Sequence, residues 1–448
     1  MASMFKRVLI ANRGEIARRV IRTCRHMGIE TVAVYSEADQ EALFVREADQ
    51  AFLLGPAPAT ASYLNVEAVL EAARQSGAEA VHPGYGFLSE NTAFARRCAE
   101  MGLVFIGPEP HAVEAMGQKI PARNLMKAAG VPVAPGTAEP VEDLELALVS
   151  AEQIGYPVLV KPSAGGGGIG MTVVEGPEKL KAALKTAQGR AQRAFGSGAV
   201  FLEKYLPHSR HIEFQVLFDN YGKGVHLFER ECSVQRRYQK VLEETPSPGL
   251  GSNDKLREQM GRTALEAASA VAYRNAGTVE FIFGRDGEFY FLEMNTRLQV
   301  EHPVTEMTTG RDLVELQLRI AAGEPLDFDQ AQVIRQGHAI EFRIYAEDPV
   351  TFLPSPGTLA VFRPPALSEN VRVDSGFEEG DTVTPYYDPL LAKLIVRGND
   401  RAEAIQRGRE ALENFRIEGI KHNIPLHLNI LADERFVSGQ YDTGLLSR

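Results

Sequence analysis

Along the first hundred residues, short apolar runs alternate with stretches whose apolar positions recur every three to four residues. Residues 7–11 predict a strand. From Gly14 onward, Ile16, Ala17, Val20 and Ile21 fall on one face of a helix. Residues 31–35 predict a second strand, 66–75 a helix and 78–82 a third strand. Strands alternating with helices predict βαβ units and a parallel sheet. Arg18, Arg19, Arg22 and Arg25 line the first helix. They predict a solvated face or, more sharply, a subunit contact. Gly130, Pro132, Pro135, Gly136 and Pro140 then punctuate a linker. A small α/β unit follows, to about Tyr205. The remainder is strand-rich, with amphipathic helices predicted at 256–274, 313–322 and 401–416.

Residues 158–174 join two β-patterned runs through Gly165-Gly166-Gly167-Gly168-Ile169-Gly170. Gly165, Gly167 and Gly170 satisfy G-x-G-x-x-G in form, but β-branched residues follow instead of a helix, so a dinucleotide fold is not indicated. No G-x-x-x-x-G-K-[ST] occurs, which excludes a P-loop. The run reads as a strand-to-strand loop whose backbone N–H groups can close around phosphate oxygens. Lys161 at the end of the incoming strand adds a cation.

A second constellation lies at 278–283 and 288–295, two strands flanking Arg285-Asp286-Gly287. Asp-Gly predicts a two-residue type I′ turn. Arg285 then pairs with Glu288, and counting outward sets Glu280 opposite Glu293. Two opposed carboxylates repel, and a divalent cation relieves them. Oxygen-only ligands suit Mg²⁺. Beyond the hairpin, Glu293, Asn295, Arg297, Gln299 and Glu301 alternate with Met294, Thr296, Leu298 and Val300. An extended chain aligns these polar side chains on one face. Glu301, farthest from the proposed metal, is the candidate general base. Glu341-Phe342-Arg343-Ile344 offers a further arginine on a strand.

Composition narrows the setting. A chain of 448 residues predicts about three domains. Its 44 % hydrophobic and 24 % charged content is that of a soluble globular protein. No apolar run reaches the ~18 residues that would span a bilayer, and the first residues carry no secretory pattern. Cys24, Cys98 and Cys232 are too few and too scattered for a disulfide framework or a zinc site. A reducing cytoplasm follows as the expected setting. The net charge of -11 disfavours nucleic-acid binding.

With these residues assembled, the chain resembles the biotin carboxylase family of the ATP-grasp superfamily. The resemblance spans essentially the whole chain. It is carried by 11–17 (Ala-Asn-Arg-Gly-Glu-Ile-Ala), 82–91 (His-Pro-Gly-Tyr-Gly-Phe-Leu-Ser-Glu-Asn), 203–206 (Glu-Lys-Tyr-Leu) and the long string 293–303. It implies an α/β architecture: a Rossmann-like N-terminal domain (1–106), a linker (107–133), a mobile glycine-loop lid (134–205), and a C-terminal ATP-grasp and biotin carboxylase C-terminal region (206–448).

The resemblance also implies site residues. Lys119, Lys161 and Gly165, Gly166, Gly167 and Gly168 would hold ATP phosphates. Glu203, Lys204 and Leu206 would line the adenine site, His211 and Gln235 would lie near the ribose, and Tyr238 would be a further nucleotide contact. Glu280, Glu293 and Asn295 would organise Mg²⁺ or Mn²⁺. Lys240, Arg297, Gln299, Val300 and Glu301 would bind bicarbonate, with Lys240, Arg297, Glu301 and Arg343 catalytic. Arg343 and Tyr85 would lie beside biotin. Tyr238 replaces a common histidine, and Ile169 replaces a common basic residue, a form similar to urea carboxylases.

The implied reaction is ATP-dependent carboxylation of biotin by bicarbonate through carboxyphosphate, as the subunit of an acyl-CoA carboxylase. Acetyl-CoA, the entry to fatty acid biosynthesis, is the expected acceptor; pyruvate, urea and others are the alternatives. The implied partners are a separate biotin carboxyl carrier protein, carboxyltransferase subunits and a second copy of the chain. The near match to a biotinylation site, Met126-Lys127-Ala128, lies in a predicted helix, and no carrier segment is read in the chain. Two other classes compete: a carbamoyl-phosphate-type ligase, and a nucleotide-binding subunit without catalysis, which would need no base at Glu301.

Overall fold

The computed structural model describes residues 3–141, 143–163 and 171–447. Five short strands, β1 (Arg7–Ile10), β2 (Glu30–Ser36), β3 (Gln50–Gly55), β4 (Ala80–His82) and β5 (Val104–Phe105), form a parallel sheet in the order β3-β2-β1-β4-β5. Helix α1 (Gly14–His26) follows β1. This is the Rossmann-like arrangement that the alternating pattern predicts.

A three-stranded unit comes next: β6 (Val158–Pro162), β7 (Thr172–Val174) and β8 (Val200–Lys204), in the order β7-β6-β8. Its core of Val158, Val160, Leu180, Leu184 and Leu202 is separate from the others. β6 and β7 pair antiparallel, so the glycine-rich run joins two strands as expected. Gly165, Gly166, Gly167 and Gly168 themselves lie outside the described residues.

The functional scaffold is an eight-stranded sheet. It contains β9 (Arg210–Phe218), β10 (Gly224–Arg236), β11 (Gln239–Thr245), β12 (Asn275–Phe283), β13 (Phe289–Asn295) and β14 (His338–Tyr345). The order is β13-β12-β9-β10-β11-β14, then Leu390–Gly398 and Val371–Ser375. Period-2 alternation divides its two faces. Ile212, Phe214, Val279 and Phe281 pack on Met260, Ala264 and Ala268 of helix Asp254–Ser269. At the other end Ile340, Phe342, Leu394 and Val396 pack on Ala404, Ala411 and Leu412 of helix Arg401–Glu413. The opposite face is mixed: Leu217 and Ala276 pack with Leu313 and Leu318, Ala339 and Ile395 pack with Val304, and polar side chains occupy the stretch between.

Two expectations change. Helix 256–274 stops at Ser269, because the chain must turn into β12. The α1 arginines are a solvated face only in part: Arg22 and Arg25 are exposed, while Arg19 is buried and Arg18 half-buried. Arg19 is 2 % exposed and pairs with Glu306 (2.6 Å) and Asp312 (2.7 Å). Arg18 binds Glu47 and the Ser375 carbonyl, and Arg22 binds Asp374. These contacts tie α1 to the C-terminal half of the chain. Breaking a buried pair leaves a desolvated charge, at a cost of about 3–5 kcal/mol, whereas an exposed pair contributes about 0–1 kcal/mol. Arg19→Ala is therefore expected to lower the thermal unfolding midpoint far more than Arg46→Ala, whose partner Glu378 is half exposed. Equal shifts in differential scanning calorimetry would contradict this.

Candidate active site

The polar face of the large sheet carries one row of charge from strand to strand. Backbone register sets Glu293 opposite Glu280, Glu280 opposite Glu213, and Arg230 opposite Glu213 on its other side. The Glu280–Glu293 pairing is the expected one, but its cause differs. The loop is longer than a two-residue turn: Phe283 pairs with Phe289, and the Gly284 N–H donates to the Glu288 carbonyl. Leu292 then has no partner between Phe291 and Glu293. That bulge restores the register, and it flips the faces. Phe289 and Phe291 stay in the core, while Glu293 and Asn295 turn to the polar side with Glu280. Without it, Glu293 would share a face with the phenylalanines.

The chain leaves the strand after Asn295, so the polar residues 295–301 do not form an extended ladder. They converge through a loop instead. Arg297 donates to Asn295 Oδ1 (2.9 Å) and Gln299 Oε1 (2.7 Å), and its Nε reaches Glu90 (3.2 Å). Asn295 and Gln299 each donate to Glu280 Oε1, at 2.8 and 3.0 Å. Glu301, fully buried, immediately precedes helix His302–Thr309. It does not lie apart from the metal end, because one lysine joins them. Lys240 Nζ donates to Glu213 (2.6 Å), Glu301 (2.7 Å) and Glu280 (2.9 Å). Arg343 Nη2 reaches the other oxygen of Glu301 at 3.0 Å.

Electrostatics follow from this geometry. Against the upward push of burial, Lys240, Arg343 and Arg230 hold the Glu301 carboxyl well below the usual range. Lys240 is pushed the other way by the same carboxylates, overcoming its own burial. Glu280 is likewise held ionised by Lys240 and His211 against burial. His211 Nε2 lies 2.7 Å from Glu280 Oε2, and its Nδ1 faces the Gln235 amide at 2.7 Å. Glu293 differs: burial, then the charge of Glu280, raises its pKa. A carboxyl burdened by a neighbouring carboxylate, beside an amide and with oxygen donors only, fits Mg²⁺ or Mn²⁺.

Lys161 pairs with Glu203 at 3.0 Å on the neighbouring strand of the small unit. Lys119 opens helix Lys119–Ala128, and burial and then Lys161 depress its pKa. Lys204 Nζ is used internally, donating to the Gly155 and Tyr156 carbonyls. Leu206 is half-buried after β8. Tyr238 is exposed at the β10–β11 turn, where Arg237 and Tyr238 both have positive φ. This two-residue turn sets Lys240 opposite Gln235. The Val300 carbonyl accepts from buried Lys393 at 2.8 Å. Lys393 also pairs with Glu15 (3.1 Å), to which the Tyr85 hydroxyl donates. Lys127 is exposed on its helix.

Sequence reasoning missed Glu213, Arg230, Cys232 and Lys393. Cys232 Sγ lies 3.9 Å from Glu301, and burial raises its thiol pKa. The legible signal for Glu213 was His211-x-Glu213-x-Gln215, polar residues at period 2 in an otherwise apolar strand. All three cysteines are buried and free.

Comparison with known proteins agrees with this layout. The family model for the biotin carboxylase N-terminal domain matches residues 4–113. That for the carbamoyl-phosphate synthase L chain ATP binding domain matches 118–329, and that for the biotin carboxylase C-terminal domain 341–448. Biotin carboxylase 2 of Bacillus subtilis is 55 % identical over 445 residues, covering 99 % of this chain and 100 % of that protein. A biotin carboxylase–beta-gamma-ATP complex from Campylobacter jejuni superposes with TM-score 0.96 at 45 % identity, over 99 % of both chains. The biotin carboxylase domain dimer of Hydrogenobacter thermophilus 2-oxoglutarate carboxylase, bound to MgADP, ADP and bicarbonate, gives 0.94 at 48 % identity, over 99 % of this chain and 97 % of that one.

Proposed function

The chain belongs to the biotin carboxylase family, and on that premise we propose that it is the biotin carboxylase subunit of an acyl-CoA carboxylase with acetyl-CoA as final acceptor. It is an ATP-dependent carboxylating ligase. The observation that carries our assignment of roles is the convergence of Glu213, Glu280 and Glu301 on Lys240, with Arg343 on the far side of Glu301.

In this reading Lys119, Lys161 and Gly165–Gly168 hold the ATP phosphates, with Glu203, Lys204, Leu206, His211, Gln235 and Tyr238 around the nucleoside. Glu280, Glu293 and Asn295 hold Mg²⁺, which when bound neutralises charge on the phosphates. Bicarbonate enters among Lys240, Arg297, Gln299, Val300 and Glu301. Glu301 is ionised, as a base must be, but its basicity is low while Lys240 grips it. An entering anion draws Lys240 away, which raises the Glu301 pKa toward that of a working base. The deprotonated oxygen attacks the γ-phosphate, giving ADP and carboxyphosphate. Carboxyphosphate releases CO₂ and phosphate, and the phosphate takes the biotin N1 proton. Arg343 then stabilises the biotin enolate, with Tyr85 near the same ligand.

Biotin is taken here on a separate carrier protein, and the carboxyl group passes to a carboxyltransferase subunit. We include a homodimer in the proposal, on the precedent of the Hydrogenobacter domain dimer. The proposal includes a cytoplasmic setting; none of the described helices is long and apolar enough to cross a membrane. The same half-reaction could feed a 2-oxo acid acceptor, as the Hydrogenobacter relative's name indicates.

Free biotin with bicarbonate is expected to stimulate ATP hydrolysis by the purified chain. No stimulation, with ATP still bound, would end the biotin assignment. Glu293→Gln is expected to raise the Mg²⁺ concentration for half-maximal activity by about tenfold or more, since a neutral amide supplies weaker ligand charge. An unchanged Mg²⁺ titration would remove Glu293 from the metal site. Incubating the carboxylated carrier with co-purified carboxyltransferase and each candidate acceptor tests the last assignment; turnover of a 2-oxo acid but not acetyl-CoA would reverse it.

A further inference from the structure

Beside Arg343 lies a pair of carboxyls to which the reaction above gives no role. Glu243 on β11 and Glu341 on β14 are directly opposite in the antiparallel register. Opposed Cβ atoms sit about 4.5–5.5 Å apart. Both residues have no exposure at all, 0 %. Neither can turn away, because Leu242 and Phe342 fill the core on the other face. Among the described residues, no oxygen of either carboxyl has a hydrogen bond of good geometry. The charged contact of Glu243 is the Arg343 guanidinium.

The surrounding cations are already committed. Arg343 is shared by Glu243 and Glu301. Lys393, its cross-strand neighbour, holds Glu15 and the Val300 carbonyl. Lys240 holds Glu213, Glu280 and Glu301. None makes an ion pair with Glu341. Two buried carboxylates side by side, of which only Glu243 contacts a cation, cannot both ionise at little cost. The titration directions agree. Burial, offset in part by Arg343, raises Glu243 to about 7. Burial drives Glu341 well above the usual range, with Lys393 opposing it and Glu243 adding to it. Both carboxyls are pushed up, so the opposed pair holds a proton at neutral pH.

We propose that Glu243 and Glu341 form a carboxyl pair sharing one proton, in which protonated Glu341 donates to ionised Glu243 and Glu243 thereby positions Arg343 for the carboxylation step. This rests on the role given to Arg343 above. Neither residue touches substrate; both are positioning residues. The arrangement answers a mechanical need. When bicarbonate and its products occupy the site, Glu301 gives up its contacts, and Arg343 requires a second, permanent tether. A pair carrying one negative charge provides that tether without saturating the guanidinium. Arg343 Nε is buried and has no hydrogen-bond partner among the described residues, so a donor remains for an anion.

Infrared spectroscopy and kinetics on the full chain test this. The charged and titratable groups facing the pair are Arg343 and Tyr345 on β14, Lys240 on β11, Lys393 from Leu390–Gly398, and Glu301 at the start of its helix. All are retained in Glu341→Gln. At neutral pH the wild type should show protonated-carboxyl C=O stretches that shift on ¹³C-glutamate labelling. Glu341→Gln should lose one such component, yet keep biotin carboxylation within about threefold, because glutamine also offers a neutral donor. The wild-type biotin-dependent rate should fall at alkaline pH as the pair loses its proton, and Glu341→Gln should lack that limb. Glu243→Gln should lower kcat for biotin carboxylation about tenfold or more, with KM for ATP unchanged.

Retention of every infrared component in Glu341→Gln would overturn the shared proton. So would failure of that variant to fold, since a neutral isostere of a protonated carboxyl should be tolerated. A Glu243→Gln enzyme with normal biotin carboxylation would overturn the positioning role. The infrared result does not depend on activity, so it separates failure of this inference from failure of the biotin assignment, which the wild-type ATPase reads alone.

Discussion

Glu301→Gln is expected to lower bicarbonate-dependent ATP hydrolysis by about 10²–10⁴-fold, the usual loss for a general base, and to do so with or without biotin. ATP binding should survive, because Glu301 lies among Lys240, Arg343 and Cys232, while Lys161 and Glu203 belong to a different sheet. The amide keeps the volume of the side chain but cannot accept a proton at neutral pH. It also removes one carboxylate from around Lys240, which keeps Glu213 and Glu280 as partners. The lysine thus remains charged and the pocket remains neutralised. A loss smaller than about tenfold would mean that bicarbonate is deprotonated by another group, or that Glu301 serves only to shape the pocket. Steady-state ATPase assays at saturating bicarbonate, with nucleotide binding measured separately, distinguish these outcomes.

The sequence made the strands and their faces legible, and for particular reasons. Alternation in 211–216 and 279–283 separates core from polar positions locally, so the two faces of the large sheet follow from nearest neighbours. The Glu280–Glu293 pairing also emerged from counting, but only because two departures cancel: a longer loop at 284–288 and a bulge at Leu292. Local pattern does not encode such a cancellation, since each departure alone reverses the face of Glu293. The polar run 293–301 was readable as a functional segment but not as a loop. Its true geometry depends on Glu280, Lys240 and Glu90, each distant in sequence. The α1 arginines show the same limit. A helix with Arg18, Arg19, Arg22 and Arg25 looks solvated until Glu306, Asp312 and Asp374 arrive from the other end of the chain. Charges paired over such separations are set by topology, which periodicity leaves open.

Arg343→Ala is expected to reduce biotin carboxylation by about 10²–10³-fold, the scale of losing one group that stabilises an oxyanion, while the slow biotin-independent ATPase falls by less than about tenfold. The asymmetry follows from the order of steps. In the proposed order Glu301 acts before phosphoryl transfer, and it keeps Lys240 and Arg230 as neighbours when Arg343 is gone. Removing the guanidinium lifts one downward influence on the Glu301 pKa, so the carboxyl becomes a somewhat stronger base but remains ionised. The steps that follow carboxyphosphate have no such substitute, because Lys393 is held by Glu15 and the Val300 carbonyl. Truncation also leaves Glu243 without its cation, so the Glu243–Glu341 pair is expected to take up a further proton rather than unfold the sheet. Arg343→Lys isolates the geometric part: it keeps the charge but loses the planar fork, and it should recover folding and the ATPase more fully than biotin carboxylation. Parallel losses of the two activities in both variants would defeat the division of labour between Glu301 and Arg343, and would make Arg343 part of the machinery that forms carboxyphosphate.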